Sequence, residues 1–166
     1  MILLDRLRWL GLSFAVLAAD QATKLTVERA TESGWSHAVI PGLLDLVHTR
    51  NRGIAFGMLA DWHFPAMQYL LILFSLSAVG VMAWLLLSGR AGGQRSHVGL
   101  ALILGGAVGN VLDRVLQGSV VDFILVYYQS FHWPAFNLAD SAIVIGAGLV
   151  LLDLLAGHHQ MEGAKI

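Results

Sequence analysis

No cysteine occurs among the 166 residues, which excludes a disulfide framework and thiolate metal sites. Charge is scarce as well: Asp, Glu, Lys and Arg make up 13% of the chain, against about 25% in soluble domains. With a formal charge of −1, no basic stripe or RNA-binding signature is present, so a nucleic-acid partner is not expected. None of the histidines (His37, His48, His63, His97, His132, His158, His159) falls in an HExxH pattern, so a zinc-peptidase ligand set is missing and no metal is expected. There is no GxSxG elbow for a serine hydrolase. A P-loop and a GxGxxG turn are also lacking, and no cofactor is expected. What the chain has in abundance is apolar: 57% hydrophobic residues and a mean hydropathy of +0.69. Composition and length together predict one integral membrane domain.

The apolar residues divide into four candidate spans, about 7–23, 64–88, 98–116 and 136–155. The second is charge-free and exceeds the roughly 20 residues needed to cross the hydrocarbon core. The first resembles a cleavable signal peptide, with Arg6 and Arg8 before an apolar run, but three more spans follow and it ends in the polar Asp20 and Lys24. Span four is expected to begin near Phe136, just after Pro134, because proline suits a helix start. The connection 25–63 is long enough to be functional; LLDLVHTR within it has weak strand character and GIAFGML is apolar enough to dip into the interface. The segment VVDFILVYYQSFHWP between spans three and four concentrates aromatics of the membrane–water boundary and reads as interfacial, with an extended backbone an open option. The expected fold is therefore an all-α membrane protein of four spans with a small β-containing loop region outside the membrane. The tail after Leu155 carries no motif.

Lys and Arg are denser in the short hairpin containing Arg90 and Arg95 than in the long loop, which favours both termini in the cytoplasm. A stronger expectation is independent of orientation. Spans alternate direction, so the end of span one, the long loop, the end of span three and the start of span four share one membrane face. That face collects Asp20, Lys24, Asn51, Asn110, Asp113, Arg114, Asp122, Asn137 and Asp140.

Ionisable residues at membrane depth are costly and usually functional. Asp20 and Lys24 are spaced i,i+4 with the acid first, the favourable order for a pair. Gly106, Asn110 and Arg114 form one stripe; Gly105 and Gly109 form a small-residue stripe beside it that lets a neighbouring helix approach. Asn110 and Arg114 have the donors and acceptors to hold a peptide backbone, and Asp113 is expected to fix Arg114. Asp122 and Asp140 are each other's best partner. At about 4 Å two carboxylates repel by roughly 4 kcal/mol at an effective dielectric near 20, enough to keep one proton on the pair near neutrality. One carboxylate and one carboxylic acid are what water activation beside a polarised carbonyl requires. A proton relay in a small transporter is the alternative. The gathering of polar residues at one end and the lack of an inverted repeat speak against it.

DQATK (20–24), NRGIAFG (51–57), GGAVGNVLDR (105–114), VVDF (120–123) and FNLAD (136–140) stand in order along the chain and resemble the signature blocks of bacterial lipoprotein signal peptidases, signal peptidase II. The resemblance implies an aspartic endopeptidase of the bacterial inner membrane. It would cut the signal peptide from prolipoproteins just before a cysteine carrying diacylglycerol, at the extracytoplasmic face. It implies Asp122 and Asp140 as the catalytic pair. By the same match Asn51, Asn110 and Arg114 would position substrate, and Asp20 and Lys24 would be supporting. The resemblance also implies that the substrate pocket takes the inhibitor globomycin. From position alone, Asn137 beside the pair and Gly53 and Phe56 in the apolar loop segment are also expected to bind substrate, and Asp113 to support.

Overall fold

The computed structural model describes residues 3–52 and 65–163. Its elements follow in the order α1 (Leu3–Ala30), β1 (Ser36–Ile40), β2 (Leu44–Asn51), α2 (Pro65–Ser88), α3 (Gln94–Gln117), β3 (Val120–Tyr128), β4 (Phe131–His132) and α4 (Leu138–Gly163). Helix α3 is the axis of the bundle, with α1, α2 and α4 all packed on it. Its glycines explain the close approach. A Cβ on Gly105 would collide with the Ser13 carbonyl oxygen, and one on Gly109 would lie 2.6 Å from an Asp20 carboxylate oxygen. On the α4 side, a Cβ on Gly99 would meet the Gly146 carbonyl oxygen at 2.5 Å, and one on Gly106 the Ala139 carbonyl oxygen at 2.5 Å. Helices that pack this tightly through small residues are typical of membrane bundles. The pairings also give directions: α1 runs parallel to α3 and α4 antiparallel to it.

Among the described residues, three helices are long and apolar enough to cross a membrane: Tyr69–Ser88, Gln94–Gln117 and Leu138–Ala156. Outward residues such as Leu73 and Phe74 on α2 and Val144 and Leu151 on α4 are exposed, as lipid-facing residues are. Helix α1, with 28 residues, has a length of about 42 Å, but Arg8, Asp20 and Lys24 make it more polar than the other three. It also runs past the expected end near Thr23, to Ala30, because Asp20 and Lys24 find partners on α3 and α4 and the helix need not stop there. Away from the polar end, Trp9, Leu86, Leu100, Ala101 and Leu104 form the apolar core.

The four strands form one antiparallel sheet in the order β1-β2-β3-β4. Strand character was expected mainly in the 25–63 connection, yet half of the sheet comes from the segment between α3 and α4. Strand β3 is the reason. VVDFILVYY is rich in β-branched and aromatic residues, its first four positions are buried, and it pairs with β2 on one side and β4 on the other. The sheet therefore stitches the two long connections together over the end of the bundle. Two expected boundaries move. Phe136 belongs to the sheet, bridging to Ile124, so α4 begins at Leu138 and Pro134 precedes the helix without starting it. At the far end α4 continues beyond Leu155 to Gly163.

Candidate active site

Helix α4 opens with a capping box. Asn137 Oδ1 accepts the Asp140 backbone N–H at 3.0 Å, and Asp140 Oδ2 accepts the Asn137 backbone N–H at 3.2 Å. The same Asn137 donates its Nδ2–H to Asp122 Oδ1 at 2.7 Å. One fully buried asparagine thus touches both carboxylates and fixes their relative placement. Asn110, on α3, donates to the other Asp140 oxygen, Oδ1, at 2.8 Å.

Asp122 is carried by β3 and is 3% exposed. Thr49 of β2 lies opposite Asp122, and Asn51, opposite Val120, is its diagonal neighbour on the same face. From there Asn51 Nδ2 donates to Asp122 Oδ2 at 3.1 Å. Burial pushes the Asp122 carboxyl up to about 6; the Asn51 hydrogen bond opposes the rise, the Asp140 charge adds to it, and Asn137 and Lys24 oppose it. A carboxyl with this value gains and loses its proton near neutrality, as a catalytic acid–base must.

A third layer comes from α1. Lys24 is 3% exposed and its Nζ lies 2.8 Å from Asp20 Oδ2 and 2.5 Å from Asp113 Oδ2. It also donates to Asn110 Oδ1 at 2.9 Å, which orients the Asn110 amide with its Nδ2 toward Asp140. Asp20 Oδ1 accepts the Ala139 N–H at 2.9 Å, satisfying another first-turn donor of α4. Gln21 donates to Asp113 Oδ1 at 2.9 Å and to Asp20 Oδ2 at 3.3 Å. Breaking a buried ion network by removing one partner costs about 3–5 kcal/mol, because the remaining charge is stranded.

The convergence expected from alternating spans is realised: Asp20, Lys24, Asn51, Asn110, Asp113, Asp122, Asn137 and Asp140 form one connected hydrogen-bond network. Arg114 Nη1 donates to the Asn110 carbonyl at 3.1 Å, and the side chain lies within electrostatic reach of Asp140, Asp122 and Asp113. Asp113, expected to fix Arg114, acts on it through charge and takes hydrogen bonds from Lys24 and Gln21, because α1 presents both donors against that face of α3. Asn137, expected to bind substrate, is fully buried and hydrogen-bonds both carboxylates. Gly53, Phe56 and the rest of GIAFGML lie outside the described residues. Sequence reasoning passed over Gln21, a neutral residue inside DQATK, and Arg50, which resembles an ordinary loop charge. Among the described residues, no group of three His, Asp or Glu side chains is arranged to hold a metal.

Known proteins resemble this arrangement over nearly the whole chain. The family model described as Signal peptidase (SPase) II matches residues 12–156. A lipoprotein signal peptidase of Solibacter usitatus (strain Ellin6076) is 43% identical over 156 residues, covering 93% of this chain and 95% of the relative. One of Paraburkholderia phymatum is 44% identical over 164 residues, covering 95% and 91%. A bacterial membrane enzyme solved by the in meso method at 2.3 Å superposes with a TM-score of 0.78 at 30% identity, covering 90% of this chain and 88% of that one. Fold and relatives together define an aspartic peptidase built on membrane-spanning helices. Within that class, the chain belongs to the signal peptidase II family, whose members process lipoprotein precursors in bacterial membranes.

Proposed function

We propose that this peptidase removes signal peptides from diacylglyceryl-modified prolipoproteins, cutting before the lipidated cysteine, with Asp122 and Asp140 as the water-activating pair. The observation that carries the dyad is the single asparagine shared between the carboxylates, with Asn51 and Asn110 on their outer oxygens. Every carboxylate oxygen is thereby oriented. A pair of this kind holds one proton between two sites, and its two ionisations belong to the pair. In the reaction the ionised carboxylate takes a proton from water as the oxygen attacks the scissile carbonyl carbon. The protonated partner gives its proton to the carbonyl oxygen, which leaves a neutral tetrahedral diol. On collapse a diol O–H gives its proton to the carboxylate that had protonated the carbonyl, the carbonyl re-forms and the C–N bond breaks. The departing amine of the lipidated cysteine takes up the proton gained from water. The dyad returns to its one-proton state.

Placement supports the same substrate. A lipid-bearing peptide must keep its acyl chains in the bilayer while its scissile bond reaches water, and the network lies where the helix ends meet the sheet. In this reading α1 is the fourth crossing, since it runs parallel to α3 from Ser13 beside Ala101 to Lys24 beside Asp113. Both termini are then cytoplasmic and the site extracytoplasmic, in the inner membrane. Arg114, Gly53 and Phe56 contact the peptide, and globomycin competes for the same pocket. The test is direct: purified protein is incubated with lipidated and unlipidated precursor, with and without globomycin. Cleavage of the lipidated precursor alone, blocked by globomycin and lost in Asp122→Asn and Asp140→Asn, is the expected result. Activity surviving either substitution would sink the dyad assignment.

A further inference from the structure

Asn51 occupies a precarious position for a residue that orients a catalytic carboxylate. It is the last residue of β2 and forms the final rung of the β2–β3 ladder, opposite Val120. Ladder ends open more readily than ladder centres, and opening here would withdraw Nδ2 from Asp122 Oδ2. The preceding residue, Arg50, points to the other face of the strand, opposite Val121. There its guanidinium joins three elements. Nη1 donates to Gln117 Oε1 at 3.1 Å, at the end of α3, and to Ser119 Oγ at 3.3 Å, in the turn leading into β3. Nη2 donates to Glu28 Oε1, near the end of α1.

We infer that Arg50 is a positioning residue for the dyad, pinning the last rung of β2 to the ends of α1 and α3 so that Asn51 stays on Asp122. The inference rests on the dyad reading above. Stability alone does not account for the arrangement, because the Arg50 side chain is 42% exposed and an ion pair that open contributes little. The junction between α1 and β2 is also closed by other bonds. Buried His48 meets Thr31 Oγ1 through Nδ1 at 3.0 Å, its carbonyl accepts the Gly34 N–H at 2.8 Å, and its N–H donates to Trp35 O at 2.9 Å. What Arg50 adds is a planar fork that grips three acceptors at once beside Asn51, the residue that holds Asp122 Oδ2.

The experiment measures kcat and KM for a lipidated precursor across pH in the wild type, Arg50→Ala, Arg50→Lys, Asp122→Asn and Asp140→Asn, with thermal stability in parallel. The groups facing Asp122 are Asn51 from β2, Asn137 before α4, Asp140 on α4, Lys24 on α1 and the Arg114 guanidinium on α3. Of these, only the Asn51 bond should weaken in the Arg50 variants. That bond favours the ionised carboxylate, so its loss should move the alkaline limb of kcat to higher pH. The expected result is a kcat about tenfold lower, smaller than the roughly 10²-fold associated with a full 1 Å misplacement. KM and melting temperature should be nearly unchanged. Arg50→Lys keeps the charge and loses the fork, and should behave like Arg50→Ala. A wild-type profile in Arg50→Lys would reduce the role to long-range charge and overturn the inference. So would lost activity that tracks lost folded protein with the limb unmoved. Cleavage retained in an Asp122→Asn or Asp140→Asn enzyme would instead bring down the dyad reading itself.

Discussion

At one end of the bundle, Lys24 lies between Asp20 and Asp113 and reaches Asn110, which in turn holds Asp140. At the other end, Ser13 donates to the Ala101 carbonyl at 2.9 Å, His97 meets the Gly93 carbonyl at 2.8 Å, and Ser96 donates to Asp153 at 2.6 Å. Both ends bury polar side chains, and both use glycines on α3 to bring a neighbouring helix close. They differ in connectivity. At the latter end Ser13 ties α1 to α3 on its own, Ser96 and the Gly93 N–H share Asp153 Oδ2 between α3 and α4, and His97 bonds within the start of α3, so these ties stay local. Those at the former make a chain that terminates on Asp122 and Asp140, the proposed dyad, so a fault in it is expected to be felt there. Burial of polar groups therefore does not distinguish a site from packing; a shared destination does.

The contrast is sharpest at the dyad itself. Asp122→Asn should remove activity by at least about 10³-fold, as expected when a group that acts as a unit with its partner is lost, measured as precursor cleavage. The same substitution should stabilise the fold. A carboxyl raised from 3.8 to about 6 favours folding below pH 4 and loses that contribution as pH rises through 6. Holding it ionised at pH 8 thus costs up to about 3 kcal/mol. A higher melting temperature in detergent at pH 8, with the gain vanishing near pH 4, is the expected outcome. Wild-type kcat/KM should correspondingly fall as pH rises through about 6, where the dyad loses its shared proton.

Lys24→Met comes next. Stranding Asp20 and Asp113 should destabilise by about 3–5 kcal/mol, and turning the Asn110 amide away from Asp140 should lower kcat by about 10²-fold in whatever fraction stays folded. Active-site titration with globomycin would count that fraction.

Paired glycine substitutions test the comparison with matched chemistry. In Gly106→Ala and Gly99→Ala the new Cβ meets a carbonyl oxygen of α4 at the same 2.5 Å, so each should lose about 1–3 kcal/mol of stability. Only Gly106→Ala, which pushes on Ala139 beside Asp140, should also lower kcat. Equal kcat in the two variants would show that the dyad tolerates movement of α4. The smallest effect belongs to Ser96→Ala: a slightly lower melting temperature from one hydrogen bond lost to Asp153, with cleavage kinetics unchanged.

Much of this was readable from the residues. Spans two, three and four announce themselves by hydropathy, and the alternation of spans was enough to bring Asp20, Asn110, Asp122 and Asp140 to one end. The shape of the sheet was not readable, because β3 is apolar on both faces and its partner lies about seventy residues away in the chain. The start of α4 was misplaced for a different reason. Pro134 is a loud signal and Asn137-x-x-Asp140 a quiet one, yet the capping box satisfies backbone donors that a proline four residues upstream leaves untouched.

By itself, the sequence determined that this chain is a membrane protein with Asp20, Lys24, Asn110, Asp122 and Asp140 brought to one end, since hydropathy and span alternation are one-dimensional properties. Tertiary structure decided which of those residues act on each other. Asp113 accepts from Lys24 and Gln21, Asn137 holds both carboxylates, and Arg50 joins the end of β2 to the ends of α1 and α3, because hydrogen bonds reach only about 3 Å and spacing along a chain does not record which side chains come that close.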